Sequence, residues 1–184
     1  MKKHLGWMLG ICVFFCMPLI SFAEMMHIFI SPVEGIHTLL APFGENRGGY
    51  AHEGVDIEVS MWTPLYAVEA GIVTKAAPDS KGIENGGGQM IFINHGQGVE
   101  SRYMHLGAYA VSVGDRVEKG DLIGFSGDSG DATKPLLHYE LRIDQIPVDP
   151  IFMFKTAEDI IQEPMQTLMP AMPIEAESFL VAQT

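Results

Sequence analysis

The chain has 184 residues, with 23 acidic side chains against 11 basic ones and a formal net charge of −12. Nucleic-acid binding relies on Lys and Arg to neutralise phosphates, and no basic cluster exists here, so that class of partner is excluded. The length predicts one domain with appendages.

Lys2 and Lys3 precede a nearly all-apolar run from Leu5 to Ile20, and Ser21-Phe22-Ala23 has the small-x-small form of a cleavage site. The run is short of the ~20 residues that span a bilayer. Residues 1–23 therefore read as a secretory signal cleaved after Ala23, with an uncleaved anchor as the rival reading. The cleaved protein would be secreted or periplasmic, within the cell envelope, with no membrane attachment. Both cysteines, Cys12 and Cys16, fall inside this segment. Without them the chain has no disulfide, no thiol nucleophile and no Cys-rich metal site.

Residues 24–40 read as a leader that packs as an edge strand. From Ala41 to Phe154 the sequence is Gly-rich and built of short apolar runs, predicting strands over 54–59, 71–76, 90–95, 99–104, 122–125 and 138–143. Turn-forming clusters bound them at 78–82, 85–88 and 127–131. No long helical period intervenes. The expected fold is all-β, with antiparallel sheets forming a compact sandwich or barrel-like domain over 41–154. Residues 113–124 resemble a passage of biotinyl and lipoyl carrier domains, but the carrier's Met-Lys-Met tripeptide is missing, so only the β architecture is shared. Residues 155–184 read as a mobile acidic tail with a short helix near 158–162.

His52, Asp56 and His138 are the residues best suited to hold a metal ion together. Two imidazoles, one carboxylate and an open fourth position form the ligand set of a hydrolytic zinc site. Four residues of straight strand span about 13 Å, too far for His52 and Asp56 to share a metal. Gly54 would let the chain bend between them. In the strand 138–143, alternation puts Leu136, His138 and Glu140 on one face, open to a cleft, and Leu137, Tyr139 and Leu141 on the core face. Each histidine taken singly is also compatible with an ordinary surface or hydrogen-bonded role. His4, His27, His37 and His95 are read that way.

The joint pattern resembles the lysostaphin/LytM-type zinc endopeptidases. Pro42-Phe43-Gly44 with Arg47 precedes His52-Glu53-Gly54-Val55-Asp56, which matches the family's His-x-Gly-x-Asp. Then come Thr63 to Gly71, Asn94-His95, Tyr103-Met104-His105-Leu106, Val113 to Gly124, Ser126-Gly127, Leu136 to Glu140 and Val148-Asp149-Pro150, in family order. The resemblance implies a duplicated hybrid motif fold and Zn2+ held by His52, Asp56 and His138. It implies that His105 hydrogen-bonds the attacking water or the developing oxyanion, with Glu140 orienting a ligand from behind. The family's His-x-His is broken here, because Leu136 replaces its first histidine.

A secreted zinc endopeptidase cutting peptide cross-links of peptidoglycan is the function this resemblance implies, with activity reduced by Leu136. The alternative is a catalytically impaired relative that binds zinc or peptidoglycan and regulates another cell-wall hydrolase. A metal-free structural β domain is a third class.

Overall fold

A computed structural model describes residues 29–35 and 37–151. The expected signal segment and the expected tail beyond Ile151 lie outside the described residues. Within them are ten strands: β1 (Leu39–Ala41), β2 (Val55–Glu58), β3 (Pro64–Tyr66), β4 (Gly71–Pro78), β5 (Gln89–Gly96), β6 (Val99–Tyr109), β7 (Arg116–Val117), β8 (Leu122–Ser126), β9 (Leu136–Ile143) and β10 (Ile146–Val148). Every pairing is antiparallel. No α-helix occurs among the described residues.

The main path runs β1-β2-β9-β6-β5-β4-β7, with β10 on β9, and with β8 joining β3 to β6. The long β6 holds this together by changing partners. Val99 to Met104 pair with β9, whereas Leu106 to Tyr109 pair with β8. The change occurs at His105, whose φ of 63° lies in the left-handed region. Such a conformation is unfavourable for a residue with a Cβ, and it persists only where surrounding contacts impose it. Here the His105 amide donates to the Gly87 carbonyl at 2.9 Å.

The fold is therefore the expected antiparallel β-sandwich, and the six predicted strands are all present. The predicted strand 99–104 proves longer, because the apolar alternation breaks at the His105 kink and hides its continuation. Of the four short strands, β1 is an edge strand at the end of the leader read that way, whereas β3, β7 and β10, of two or three residues, carry no readable period of their own.

Packed inside are Val55, Ile57, Leu65, Ile91, Ile93, Leu106, Ile123, Leu137 and Leu141, with Tyr103 and Tyr139 meeting edge to face at 5.3 Å. Val33 is also fully buried, and Tyr66 donates its amide to the Pro32 carbonyl, so the segment before Ala41 contributes to this core.

Gly54 has a different reason from the expected bend. Its φ is not left-handed, but a Cβ there would stand 2.3 Å from the carbonyl oxygen of Tyr139. Close approach of the β9 backbone is what demands glycine. Gly54→Ala is expected to cost about 1–3 kcal/mol or more, by analogy with overpacking, in a urea unfolding series. An unchanged midpoint would contradict this close packing.

Candidate metal centre

The register of β2 on β9 puts Asp56 directly opposite His138. His52 arrives from a hairpin just before β2. Its amide donates to Glu45, its carbonyl accepts from Gly44, and the tip closes through Arg47 and Tyr50. Together these bring His52 Nε2, Asp56 Oδ1 and His138 Nδ1 to one point. The separations are 3.0 Å between the two nitrogens, 2.7 Å from His138 to Asp56 and 3.2 Å from His52 to Asp56. No other group of three or more potential ligands converges among the described residues.

The donor set fits a metal ion. A tetrahedral zinc at about 2.0–2.1 Å from each ligand would hold those ligands about 3.3 Å apart, so the existing spacing needs only sub-ångström relaxation. The outer atoms of all three side chains are already engaged, which fixes the atoms that face inward. His52 Nδ1 lies 2.8 Å from the Pro42 carbonyl and donates to it, which turns Nε2 to the shared point. His138 Nε2 lies 3.2 Å from Glu140 Oε1. Arg47 donates to Asp56 Oδ2 at 2.5 Å, leaving Oδ1 for the shared point.

Without a metal the charged groups stabilise one another, and a metal would displace a proton from the imidazoles. Burial pushes the Asp56 carboxyl up, but hydrogen bonds from His138, His52 and Arg47 outweigh it and hold the group far below the usual carboxylate range. Burial pushes His138 down, yet its contacts with Asp56 and Glu140 leave it raised. Glu140 is likewise favoured by burial to be neutral, and His138 and Arg142 keep it ionised. His105 shifts down, chiefly through burial, which outweighs its backbone hydrogen bond.

His105 stands beside the trio, its ring 6.2 Å from that of His138 and nearly perpendicular to it. Its Nδ1 hydrogen-bonds the Ser129 carbonyl at 2.8 Å, which leaves Nε2 as the free ring nitrogen. Leu136 begins β9 opposite Glu58 and is partly exposed, one step along the strand face from His138. Lys134, two residues before Leu136, is paired with Glu58 at 3.0 Å.

One expectation needs correcting. Glu140 does not open onto a cleft; it is 4% exposed. Arg142 Nε binds its Oε2 at 2.7 Å and also reaches Glu53, while Arg102 approaches from β6 at 3.7 Å. β9 is a central strand, and the long arginine stems cover that face. Arg142 was readable as the next member of the His138, Glu140 alternation. Arg47 had no such signal, because a hairpin, and not a period, carries it back to Asp56. His95 belongs elsewhere, in a chain of hydrogen bonds from Ala70 through Ser101 to Tyr103.

A scan against family models matches residues 50–150 to peptidase family M23. The chain belongs to this family. Curated relatives include the DD-carboxypeptidase/endopeptidase Mpg of Neisseria meningitidis serogroup B, 37% identical over 111 residues, covering 60% of this chain and 24% of that protein. Lysostaphin of Staphylococcus simulans is 38% identical over 119 residues, covering 64% and 22% respectively. The chain thus spans about a quarter of the length of these relatives. Among solved structures, the lysostaphin catalytic domain from Staphylococcus simulans superposes with a TM-score of 0.58 at 30% identity, covering 65% of this chain and 93% of that one. A zinc-containing peptidase from Vibrio cholerae gives 0.61 at 25% identity, covering 70% and 40%.

Proposed function

We propose that this M23 peptidase is a secreted zinc metalloendopeptidase that hydrolyses peptide cross-links of peptidoglycan. In this reading residues 1–23 are a secretory signal, 24–40 a leader, 41–154 the peptidase domain and 155–184 a tail. His52, Asp56 and His138 hold the zinc. The observation that carries the reading is the convergence of their three ligand atoms at one buried point, with every outer atom tied down. The names of the relatives, a DD-carboxypeptidase/endopeptidase and lysostaphin, support wall peptides as the substrate class.

Zinc in such a site acidifies a water nucleophile and polarises the scissile carbonyl. The surrounding residues prepare for that. Glu140 fixes the His138 tautomer, and Arg142 holds Glu140 ionised and in place. Arg47 keeps Asp56 ionised and presents one of its oxygens. Arg47→Ala is expected to weaken zinc binding by about 10–100-fold, the usual scale for a group that orients a ligand, in a competition titration with a chelating dye. Equal affinity in the variant would show that Asp56 holds its orientation unaided.

His105 is the remaining imidazole able to take, hold or donate a proton at its Nε2, or to donate a hydrogen bond to a developing oxyanion. His105→Ala is expected to lower peptide turnover by about 10²–10⁴-fold while the zinc content stays at one equivalent. Loss of metal in that variant would make His105 a ligand and overturn the assignment.

Leu136 favours a second reading, in which the chain binds zinc or peptidoglycan and regulates another wall hydrolase. Incubation with purified peptidoglycan separates the two. New amino termini that vanish with a chelator and return with zinc support hydrolysis; binding to the polymer without new termini supports the regulator.

A further inference from the structure

We propose that Trp62 is a stacking platform for a sugar ring of the glycan strand, placed beside the metal centre, and that it favours peptide still attached to glycan over free peptide. The proposal rests on the peptidoglycan reading above.

The starting observation is a conflict in the turn Ser60-Met61-Trp62-Thr63. The Thr63 amide donates to the Ser60 carbonyl at 3.3 Å, and Trp62 is the third residue, with φ of 65°. That turn position takes glycine or asparagine, because a Cβ crowds the left-handed backbone. A bulky side chain with positive φ is an outlier. Burial does not account for it, since Trp62 is 57% exposed, with Met61 beside it also exposed. A large aromatic side chain has been placed in solvent on an unfavourable backbone.

The turn is held from several sides. The Ser60 carbonyl also accepts from the hydroxyls of Thr63 and Ser126, at 2.8 and 2.7 Å. Ser126 returns its amide to the Thr63 carbonyl, and the Trp62 amide donates to the Ser126 carbonyl at 3.0 Å. The next carbonyl, Gly127, accepts from the amide of Leu136 at 3.1 Å. Trp62 and Leu136 therefore hang from consecutive carbonyls, and Leu136 is two residues from His138. On its other side the indole rests on Gly107, two residues beyond His105. A Cβ on Gly107 would fall 2.9 Å from the indole ring. The platform is thus tied to β6, which carries His105, and through Ser126 and Gly127 to the start of β9, which carries His138.

Ser60 and Thr63, the ends of the turn that carries Trp62, line a cleft of about 420 Å³ together with Glu58 and Lys134. An open aromatic surface on a turn whose hydroxyl residues line a polar cleft suits a pyranose. Its C–H face stacks on the ring while its hydroxyls meet the polar border. An aliphatic peptide side chain would instead call for an enclosed apolar pocket.

Fluorescence gives a direct test in the full chain. The sequence has two tryptophans, Trp7 and Trp62, so Trp7→Phe leaves Trp62 as the emitter. Glycan strands stripped of peptide should shift its emission saturably, and a sugar-free cross-bridge peptide should not. A shift from the peptide and none from the strands would overturn the proposal. Trp62→Gly suits the turn, so its thermal midpoint should hold or rise. Its ratio of kcat/KM for glycan-linked over sugar-free peptide should fall about tenfold, the scale of one ring-stacking contact. A lowered midpoint with the ratio intact would make Trp62 a packing residue only. The emission shift needs no hydrolysis. A chain that never cuts peptide but shows the shift overturns the peptidase reading and keeps this one.

Discussion

The His138→Ala variant is expected to retain no stoichiometric zinc and to release no peptide fragments from peptidoglycan. His138 contributes one of the three converging ligand atoms, and it touches both Asp56 and Glu140. Removing a group that merely orients a ligand costs about 10–100-fold in affinity, and removing the ligand itself should cost more. The variant also leaves two ionised carboxylates, on the neighbouring strands β2 and β9, with the imidazole gone, although Arg47 and Arg142 still neutralise them. Thermal melts with and without added zinc separate metal loss from unfolding. A ligand that binds only the native state raises the midpoint by mass action, so zinc should stabilise the wild type and leave the variant unmoved. A zinc-dependent rise in the variant would mean that the metal sits elsewhere.

Leu136→His should raise peptidase activity by about 10²–10⁴-fold, the usual worth of one general acid or base. The core residues Leu137, Tyr139 and Leu141 alternate with His138 and Glu140, so position 136 shares the face of His138. Two residues of strand place them about 6.7 Å apart, near enough for an imidazole to reach the same point. Leucine there can neither accept nor donate a proton. The site is partly exposed at the strand's start, so the exchange should leave stability nearly unchanged. Steady-state turnover of a soluble cross-bridge peptide is the readout. Zinc-loaded Leu136→His protein with no gain in turnover would favour the regulator, since the chemistry would then be limited by more than this residue.

Much of the site was legible in the sequence because His52, Asp56 and His138 stand in motifs that resemble the family's, and because alternation puts His138 and Glu140 on one face. Once β2 and β9 are paired, Asp56 faces His138, and the same alternation carries Glu140 behind it. What stayed hidden depends on the third dimension. Arg47 reaches Asp56 through a hairpin. The kink at His105 follows from β6 changing partners. Gly54 looked like a bend because its real reason, the Tyr139 carbonyl above it, is eighty-odd residues away in sequence. The burial of Glu140 was missed because arginine stems, which read as surface residues, close over it.

The account's central claim is that His52, Asp56 and His138 hold a zinc ion that serves peptide hydrolysis. The most direct test counts zinc and newly formed amino termini in one sample of wild-type protein acting on purified peptidoglycan. One equivalent of zinc, with termini that disappear on chelation and reappear with zinc, is the predicted result. Zinc no higher than in His138→Ala protein, or fragment release that survives chelation, would contradict it.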